Sequence, residues 1–425
     1  MIFFRVIFRN RKMKEMICKF WIVVCCLFIV SCGKLSNDTT REAIPQINIT
    51  NGFGRDTSIR ISSVGFDYRL IKLEDSKNCF IGDIDRIFLT TNEIVIFDKM
   101  NESIFVFDWD GKFIRKIGVK GQGPGEYVSI YFTAFSNLTK EIYLWDGKTH
   151  QVIKYSIDGS FIAKRKIETL INDFEVGVDG CCALFTSRKY SFLNDNNSFV
   201  LLDENLDLVS QQLHNSEFKK DEYLGSFSLF LEDERLKLWD GYRPDTVFML
   251  CSNRLLKPEY TITHTFEKMS RIEYRNKSLL NQNLHKTMIV DLFESKEYIF
   301  IEAIKDRLVH NIVYSKSTKK SYLMKRRSEW MREFCFVDGF VDDVFGGMPF
   351  WPKGIVMCGD KEYAFDYSYP FNSKSYLEAK SKNVSSDLVS GSNSLLLKKC
   401  YDSNVNANPI ITLVQLNSNQ KKDEI

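Results

Sequence analysis

Aspartate recurs at one position of a repeating sequence pattern, and its spacing is the clearest candidate for chemistry in this chain. Asp98 and Asp146 are 48 residues apart, and Asp240 follows Asp146 after 94 residues, or two periods of 47. A ring of such carboxylates could hold Ca²⁺ or a polar ligand, because Ca²⁺ takes oxygen ligands. The alternative is that each aspartate accepts hydrogen bonds from the backbone of its own turn. We favour turn capping, and Ca²⁺ stays the one cofactor left open.

Sequence signatures of catalysis are missing from the chain. It contains no HExxH, Cys-x-x-Cys or Gly-x-Ser-x-Gly motif, the patterns that position a metal, a redox pair or a nucleophile. The five histidines lack the spacing of metal ligands. Seven cysteines follow Cys32, and an odd number without framework spacing predicts mostly buried free thiols. We therefore predict no catalytic residue and no metal site.

The recurring aspartates belong to a unit of short strands and tight turns. Ile94–Tyr127 contains three apolar stretches that are too short for helices and rich in β-branched and aromatic residues. Turns containing Asp, Asn and Gly separate the stretches, and Glu141–Ile167 repeats the pattern element by element. A fixed period of about 40 to 50 residues with several strands in each unit is typical of a β-propeller.

This period predicts the positions of the blades. We place the first five at about Ile81–Val119, Ile130–Ile167, Phe174–Leu213, Ser226–Ile262 and Lys296–Lys325, and the sixth from about Phe334 onward. The third blade is predicted to be degenerate. Helical insertions are predicted in Met269–Leu292 and Ser373–Leu388. One strand from Ile59–Glu74 is expected to pair with Ile410–Leu416 and close the ring, which removes open sheet edges.

Several motifs resemble the six-bladed β-propeller lipoproteins of Bacteroidetes, a TolB-like group related to NHL-repeat propellers. The motifs are Leu73-Glu74, Ile81–Ile84, Asp110–Phe113, Gly121–Tyr127, Asp342–Pro352 and Asn408–Ile411. The resemblance spans about residues 59 to 417. It implies an all-β fold of six four-stranded antiparallel blades, closed by the N- and C-terminal strands, and a location in the cell envelope.

Two of these motifs supply the candidate ligand-binding residues. Glu126 and Tyr127 end the glycine-rich corner after the first blade, where the chain crosses to the second. Asp343 and Trp351 belong to the later corner, which resembles the family's Gly-Gly-x-Pro-Phe-Trp-Pro pattern. We expect both corners at the mouth of the propeller channel. The insertion of Val344-Phe345 before Gly346 departs from the family pattern and weakens the assignment of Asp343.

The first residues predict export and lipidation. Phe20–Val30 is an apolar run behind a basic segment and is too short to span a bilayer. Ser31-Cys32 then has the form of a lipobox, which predicts a signal peptide over residues 1–31 and a lipid anchor on Cys32. A polar tether over residues 32–55, the propeller over 56–418 and a polar tail over 419–425 follow. The sequence leaves open whether translation starts at Met1, Met13 or Met16.

Charge and the missing motifs limit the function classes. The net charge is +3, and residues 1–31 hold six Lys/Arg and one Glu, so the mature chain is close to −2. Nucleic-acid binding is disfavoured because it requires a basic surface that neutralises phosphates. We predict a lipid-anchored envelope module, at the outer membrane, that binds or scaffolds a peptide, glycan or envelope protein. The alternative is a propeller enzyme, similar to lactonases or lyases, with a metal or polar site in its channel.

Overall fold

The part of the chain that can be described covers most of the predicted propeller. The computed structural model describes residues 43–54, 56–167, 169–177, 179–191, 197–214, 227–241, 245–270, 273, 276–306, 308–324, 339–383 and 407–416. The predicted signal peptide, Cys32, the first part of the predicted tether and the predicted tail lie outside these residues.

Short strands dominate the described residues. In chain order they are β1 (Gln46–Asn48), β2 (Asp56–Thr57), β3 (Gly65–Lys72), β4 (Ile84–Leu89), β5 (Glu93–Asp98), β6 (Ser103–Asp108), β7 (Phe113–Ile117), β8 (Ile130–Ser136), β9 (Glu141–Asp146), β10 (Gln151–Ser156), β11 (Phe161–Lys166), β12 (Thr169–Val176), β13 (Cys182–Ser191), β14 (Asn197–Leu202), β15 (Leu208–His214), β16 (Phe227–Glu232), β17 (Arg235–Asp240), β18 (Thr246–Leu250), β19 (Leu256–Thr263), β20 (Met288–Glu294), β21 (Tyr298–Lys305), β22 (Leu308–Ser315), β23 (Lys320–Met324), β24 (Gly354–Cys358), β25 (Lys361–Ser368) and β26 (Ile410–Leu416). The α-helices in the described residues are α1 (Lys277–Gln282) and α2 (Pro370–Asn383).

The strands form six antiparallel blades, as the repeat period predicts. Blades one to five are β4–β7, β8–β11, β12–β15, β16–β19 and β20–β23, each in sequence order from the inner strand outward. Blade six has the order β24-β25-β26-β3. The ring is therefore closed by pairing the last described strand with a strand from the beginning of the propeller. Ile410 pairs with Lys72 and Val414 with Tyr68 in this closure.

The segment before the first blade adds strands to two other blades. β1 pairs in parallel with β19 of blade four, and β2 pairs in parallel with β23 of blade five. Ile49 between them is fully buried. The predicted tether extended to residue 55, whereas the structure packs the chain against the propeller from Pro45 onward. Covering the outer edge of a blade in this way protects its unpaired backbone groups.

The middle strands of each blade are apolar on both faces because neighbouring blades cover both faces. In β5, Ile94–Phe97 have no exposed surface, and β9 has the same burial pattern. The outer strand β11 is mostly exposed and carries Lys164, Arg165 and Lys166. Lysine and arginine on an outer strand discourage edge-to-edge association.

Two sequence expectations differ from the structure. Blade three is a complete four-stranded sheet, not a degenerate one. The first predicted insertion, Met269–Leu292, includes the short helix α1, and its last residues belong to β20 (Met288–Glu294), the inner strand of blade five. The segment Met-Ile-Val-Asp-Leu-Phe-Glu has β-branched and aromatic residues that fit a strand. The second predicted insertion, Ser373–Leu388, is confirmed as helical up to Asn383, where α2 ends, and residues 384–388 lie outside the described residues.

Candidate functional site in the central channel

The inner strands of all six blades enclose a cavity of about 230 Å³, which we call the channel cavity. Its lining combines an apolar wall with charged side chains. Phenylalanines of the wall are Phe88, Phe135, Phe230, Phe293 and Phe365. Charged and polar residues of the lining are Asp85, Arg86, Asn137, Glu175, Ser228, Asp291, Glu294 and Lys353. Because the walls come from every blade, closing the ring is what forms this site.

A β-bulge recurs in the inner strands and precedes the charged residues. In blade one, Ile84 pairs with Asp98 and Arg86 with Phe97, so Asp85 is an additional residue. Blades two, three and five shift register in the same way, at Ile130/Phe132, Ile171/Asp173 and Ile289/Asp291. Arg86, Phe132, Asp173 and Asp291 therefore occupy equivalent positions. A bulge re-aims a side chain, and here it precedes three of the charged residues at the ring centre.

Arg86 links blade one to blade three across the ring. Its Nη1 lies 3.0 Å from Oε2 of Glu175, and its Nη2 lies 3.5 Å from Oδ1 of Asp173. Asp173 also accepts a hydrogen bond of 2.7 Å from the backbone N–H of Leu229 in blade four. Both carboxylates are buried. A buried carboxylate needs such a partner, since an unpaired charge is costly away from water.

Burial shifts the ionisation of the channel acids upward. Burial raises the pKa of Glu175 to about 7, although the charge of Arg86 opposes the rise. Burial raises the pKa of Asp291 to about 6, and the negative charge of Glu302 adds to the rise. The pKa of Asp173 is also raised by burial. With pKa values of about 7 and about 6, Glu175 and Asp291 change charge near neutral pH, as groups at functional sites often do.

Glu126 lies at a surface cleft between blades one and two, apart from the channel. The cleft has a volume of about 450 Å³ and is lined by Gly121, Gln122, Gly123, Glu126, Val128, Lys148, Thr149, Gln151 and Lys164. Oε2 of Glu126 accepts a hydrogen bond of 2.7 Å from the backbone N–H of Gly123. The carboxylate therefore fixes its own glycine-rich corner and borders a polar cleft. Its role in ligand binding stays a prediction.

The two predicted aromatic ligand-binding residues are inside the protein. Tyr127 is 3% exposed and donates a hydrogen bond of 3.0 Å to the carbonyl oxygen of Glu102. Trp351 has no exposed surface, stacks on Phe340, and donates from Nε1 to Oε1 of Glu302 at 2.7 Å. In this structure both rings pack and hydrogen bond within the core, and neither offers a face to solvent.

Asp343 contacts the beginning of the propeller chain. Its carboxylate accepts hydrogen bonds from the backbone N–H of Ser62 at 3.1 Å and from Oγ of Ser62 at 2.5 Å. The neighbouring Asp342 accepts from the backbone N–H groups of Phe345 and Gly347, each at 2.8 Å. The later corner is thus held by its own aspartates. The structure does not bring Asp343, Trp351 and Glu126 together into one site.

Two of the three recurring aspartates, Asp98 and Asp146, cap turns, in line with the favoured interpretation. Asp98 is fully buried and accepts hydrogen bonds from the N–H groups of Gly82, Asp83 and Met100 at 2.8 to 3.0 Å. Asp146 repeats this arrangement with Val128, Ser129 and Lys148. Hydrogen-bond donors and cations compete for the same carboxylate oxygens. Backbone N–H groups already bind the oxygens of Asp98 and Asp146 that a cation would need as ligands.

The channel residues Arg86, Asp173, Glu175 and Asp291 were not predicted from the sequence. One signal was available, since polar residues interrupt otherwise apolar inner strands at equivalent places. The strands read Ile-Asp-Arg-Ile, Ile-Asn-Asp-Phe and Ile-Val-Asp-Leu at these positions. A polar residue inside a strand that is otherwise buried indicates either a functional site or a buried partner for its hydrogen bonds or charge.

Metal-binding clusters and membrane-spanning helices are both missing from the described residues. No group of three or more His, Cys, Asp or Glu side chains there is arranged to hold a metal ion. None of the helices in the same residues is long and apolar enough to cross a membrane. The cysteines described are free thiols, and Cys79, Cys181 and Cys182 are buried. Cys335 and Cys400 lie outside the described part of the chain.

A closed ring of six blades around a polar channel makes this chain a six-bladed β-propeller. Residues 44–415 match the family described as "Domain of unknown function (DUF4934)", and the chain belongs to that family. No curated protein matches the sequence.

Solved structures share the fold at low sequence identity. A candidate exported protein of Bacteroides fragilis superimposes with a TM-score of 0.64 and 18% identity, over 88% of this chain and 100% of that chain. A member of the DUF4221 family from Bacteroides vulgatus gives a TM-score of 0.48 and 11% identity, over 83% and 97% of the two chains. Virginiamycin B lyase from Staphylococcus aureus gives 0.38 and 10%, over 70% and 81%. At 18% identity, the likeness to the first shows a shared propeller fold alone.

Proposed function

We propose that this chain is a lipid-anchored binding module of the cell envelope and that the channel is its binding site. The observation that carries the proposal is the channel cavity, which every blade lines. Charged side chains lie at this cavity, and several of them directly follow a bulge in the inner strand of their blade. A rigid ring that presents a few polar groups in an apolar hollow is the usual form of a binding site. The partner is a peptide, a glycan or another envelope protein.

The envelope location is supported by the lipobox at Cys32 and by the fold shared with a candidate exported protein. Lipidation at Cys32 would attach the mature chain to the outer membrane, facing either the periplasm or the cell surface. Cys32→Ala is expected to abolish labelling by radioactive palmitate and to move the protein from the membrane fraction to the soluble fraction. Unchanged labelling of the variant would refute the lipid anchor.

Site-specific photocrosslinking in cells tests the channel as the binding site. A photoreactive amino acid replaces Tyr131 in the inner strand of blade two, or Ile162 on the outer strand of the same blade. Tyr131 is the additional residue of its bulge and the counterpart of Asp85, which lines the channel cavity. Tyr131 and Ile162 are each 42% exposed, so they are matched in access to solvent. We expect a discrete adduct from position 131 and none from position 162. The same adducts at both positions, or none at either, would contradict the proposal.

An enzyme is the second candidate, because Arg86, Asp173, Glu175 and Asp291 converge near the channel cavity. The Arg86 guanidinium contacts Asp173 and Glu175 directly. Native mass spectrometry of the full chain separates the two candidates. A stoichiometric Ca²⁺ or other metal that survives desalting would favour the enzyme, whereas a bare chain mass favours the binding module.

A further inference from the structure

The channel cavity contains a carboxylate with no cation in contact with it. Among the described residues, Asp291 accepts one hydrogen bond, from the backbone N–H of Leu292 at 2.9 Å, and forms no ion pair. The positive charge of Arg86 lowers the pKa of Asp291, but the guanidinium itself contacts Asp173 and Glu175. Lys353 also lines the cavity, and its positive charge opposes the rise in the pKa of Asp366 that burial causes. Asp291 therefore presents negative charge to the hollow.

A second group in the same cavity also lacks a donor. The side-chain oxygen Oδ1 of Asn137 is buried and has no hydrogen-bond partner. Asn137 belongs to blade two and Asp291 to blade five, and both line the cavity. A buried acceptor without a donor costs free energy. Among the described lining residues, the carboxylate of Asp291 and Oδ1 of Asn137 are both acceptors, and a molecule that pairs with them has to donate hydrogen bonds.

The remaining walls are apolar and aromatic. Phe88 and Phe135 lie against each other with ring centroids 5.7 Å apart, and Phe230 and Phe293 also line the cavity. Aromatic faces attract organic cations and bury their apolar parts. The cavity of about 230 Å³ exceeds the roughly 150 Å³ that accommodates benzene in an engineered cavity. It has room for an amine with a short hydrocarbon stem.

We propose that the channel cavity binds a primary ammonium group carried on an apolar stem, with Asp291 as its counter-ion and Asn137 as a further acceptor. This inference rests on the proposed function, because it names the ligand chemistry of the same channel. Two sources carry this chemistry, namely a free small amine and a lysine side chain presented by a partner.

Calorimetric titration of the full chain with benzylamine tests the ammonium requirement. Benzyl alcohol, which has the same ring but no charge, is the matched neutral probe. We expect benzylamine to bind at least tenfold more tightly than benzyl alcohol, since hydrogen bonds between charged groups are stronger than those between neutral groups. Equal affinity for the two probes would overturn the proposal, and this comparison needs no variant.

Asp291→Asn locates the site. We expect this variant to lose tenfold or more in affinity for benzylamine and to keep its affinity for benzyl alcohol. Asp360→Asn, in the exposed turn between β24 and β25, is the control and should bind both probes as the wild type does. Unchanged benzylamine affinity in Asp291→Asn, with its circular dichroism preserved, would refute the role of Asp291.

A capped Gly-Lys-Gly peptide and its norleucine analogue distinguish the two sources. Binding of the lysine peptide and not of the analogue supports a partner's lysine, whereas binding of benzylamine alone supports a free amine. Failure of this inference can be told from failure of the proposed function. A position-131 adduct without amine binding would remove only the ammonium assignment, and amine binding without an adduct would remove only the macromolecular partner.

Discussion

A single buried carboxylate holds the turn in each of blades one and two, Asp98 in the first and Asp146 in the second. Asp98→Ala would leave the N–H groups of Gly82, Asp83 and Met100 without their acceptor. We expect the free energy of unfolding to fall by about 3 kcal/mol, because buried donors without partners are costly. Urea denaturation followed by tryptophan fluorescence measures the change. Asp98→Asn keeps one acceptor oxygen and should lose less, and an alanine variant as stable as wild type would rule out the capping role.

Glu362 makes the stability of the protein depend on pH. Burial raises the pKa of Glu362 to about 7, and its two oxygens accept from the backbone N–H of Lys296 at 3.1 Å. The folded state therefore holds this proton more tightly than the unfolded state, whose pKa is about 4.3. Stability from this group is present below about pH 4 and is lost as the pH rises toward 7.

Glu362→Gln removes this titration while keeping an acceptor for Lys296. We expect the variant to gain about 1 to 2 kcal/mol over wild type at pH 8 and little at pH 5. Urea denaturation at the two pH values gives the comparison. A gain of equal size at both values would mean that ionisation of Glu362 is not its source.

At the scale of the elements, β26 joins the two halves of blade six, because it lies between β25 and β3. It pairs with β25 on one side and with β3 on the other. Removing residues 408–425 should abolish the cooperative thermal transition, since both neighbours lose their ladder and the ring opens. Removing only residues 419–425 is the control and should leave the transition in place. A cooperative melt of the longer truncation that matches the full chain would refute the closure role.

The elements were predictable where their signals are local and repeated. The turn aspartate is a local signal, and it recurs at Asp98, Asp146 and Asp240. Blades one, two and four therefore lie where the sequence places them. β20 was hidden because it follows a short helix and falls outside the rhythm of the first blades. β1 could not be predicted, since Gln46 pairs with Thr261 and nothing in a three-residue segment specifies so distant a partner.

The candidate site was less predictable than the blades for a related reason. Glu126 and Asp343 were chosen from glycine-rich corners, which are visible in the sequence as unusual composition. Arg86 and Asp173 lie in ordinary short strands and meet only when the closed ring brings the inner strands of blades one and three together at its centre. A register shift of one residue, as at Ile171/Asp173, decides which side chain the strand presents, and sequence alone does not reveal it.

At the scale of the whole molecule, the Arg86 ion pairs connect blades that are not neighbours in the ring. The Arg86 guanidinium faces Glu175 and Asp173 in direct contact and Asp85 nearby. Replacing Arg86 by Met would leave two buried carboxylates without a cation. We expect a loss of about 3 to 5 kcal/mol in the free energy of unfolding at pH 8, the range found when one partner of a buried pair is removed.

The same loss should be smaller at pH 5. Burial already raises the pKa of Glu175 to about 7 with Arg86 in place, so removing the cation favours the neutral acid further and protonation at pH 5 relieves the uncompensated charge. Arg165→Met is the matched control, because the pair of Arg165 with Asp207 is 54% and 58% exposed and contributes under about 1 kcal/mol. Urea denaturation of both variants at pH 5 and pH 8 measures the effect. If Arg86→Met lost as little as Arg165→Met, or lost the same at both pH values, the charges at the centre of the ring would not be what couples blade one to blade three. A large loss confined to high pH would show that the ion pairs of Arg86 with Asp173 and Glu175 hold blades one and three together across the channel.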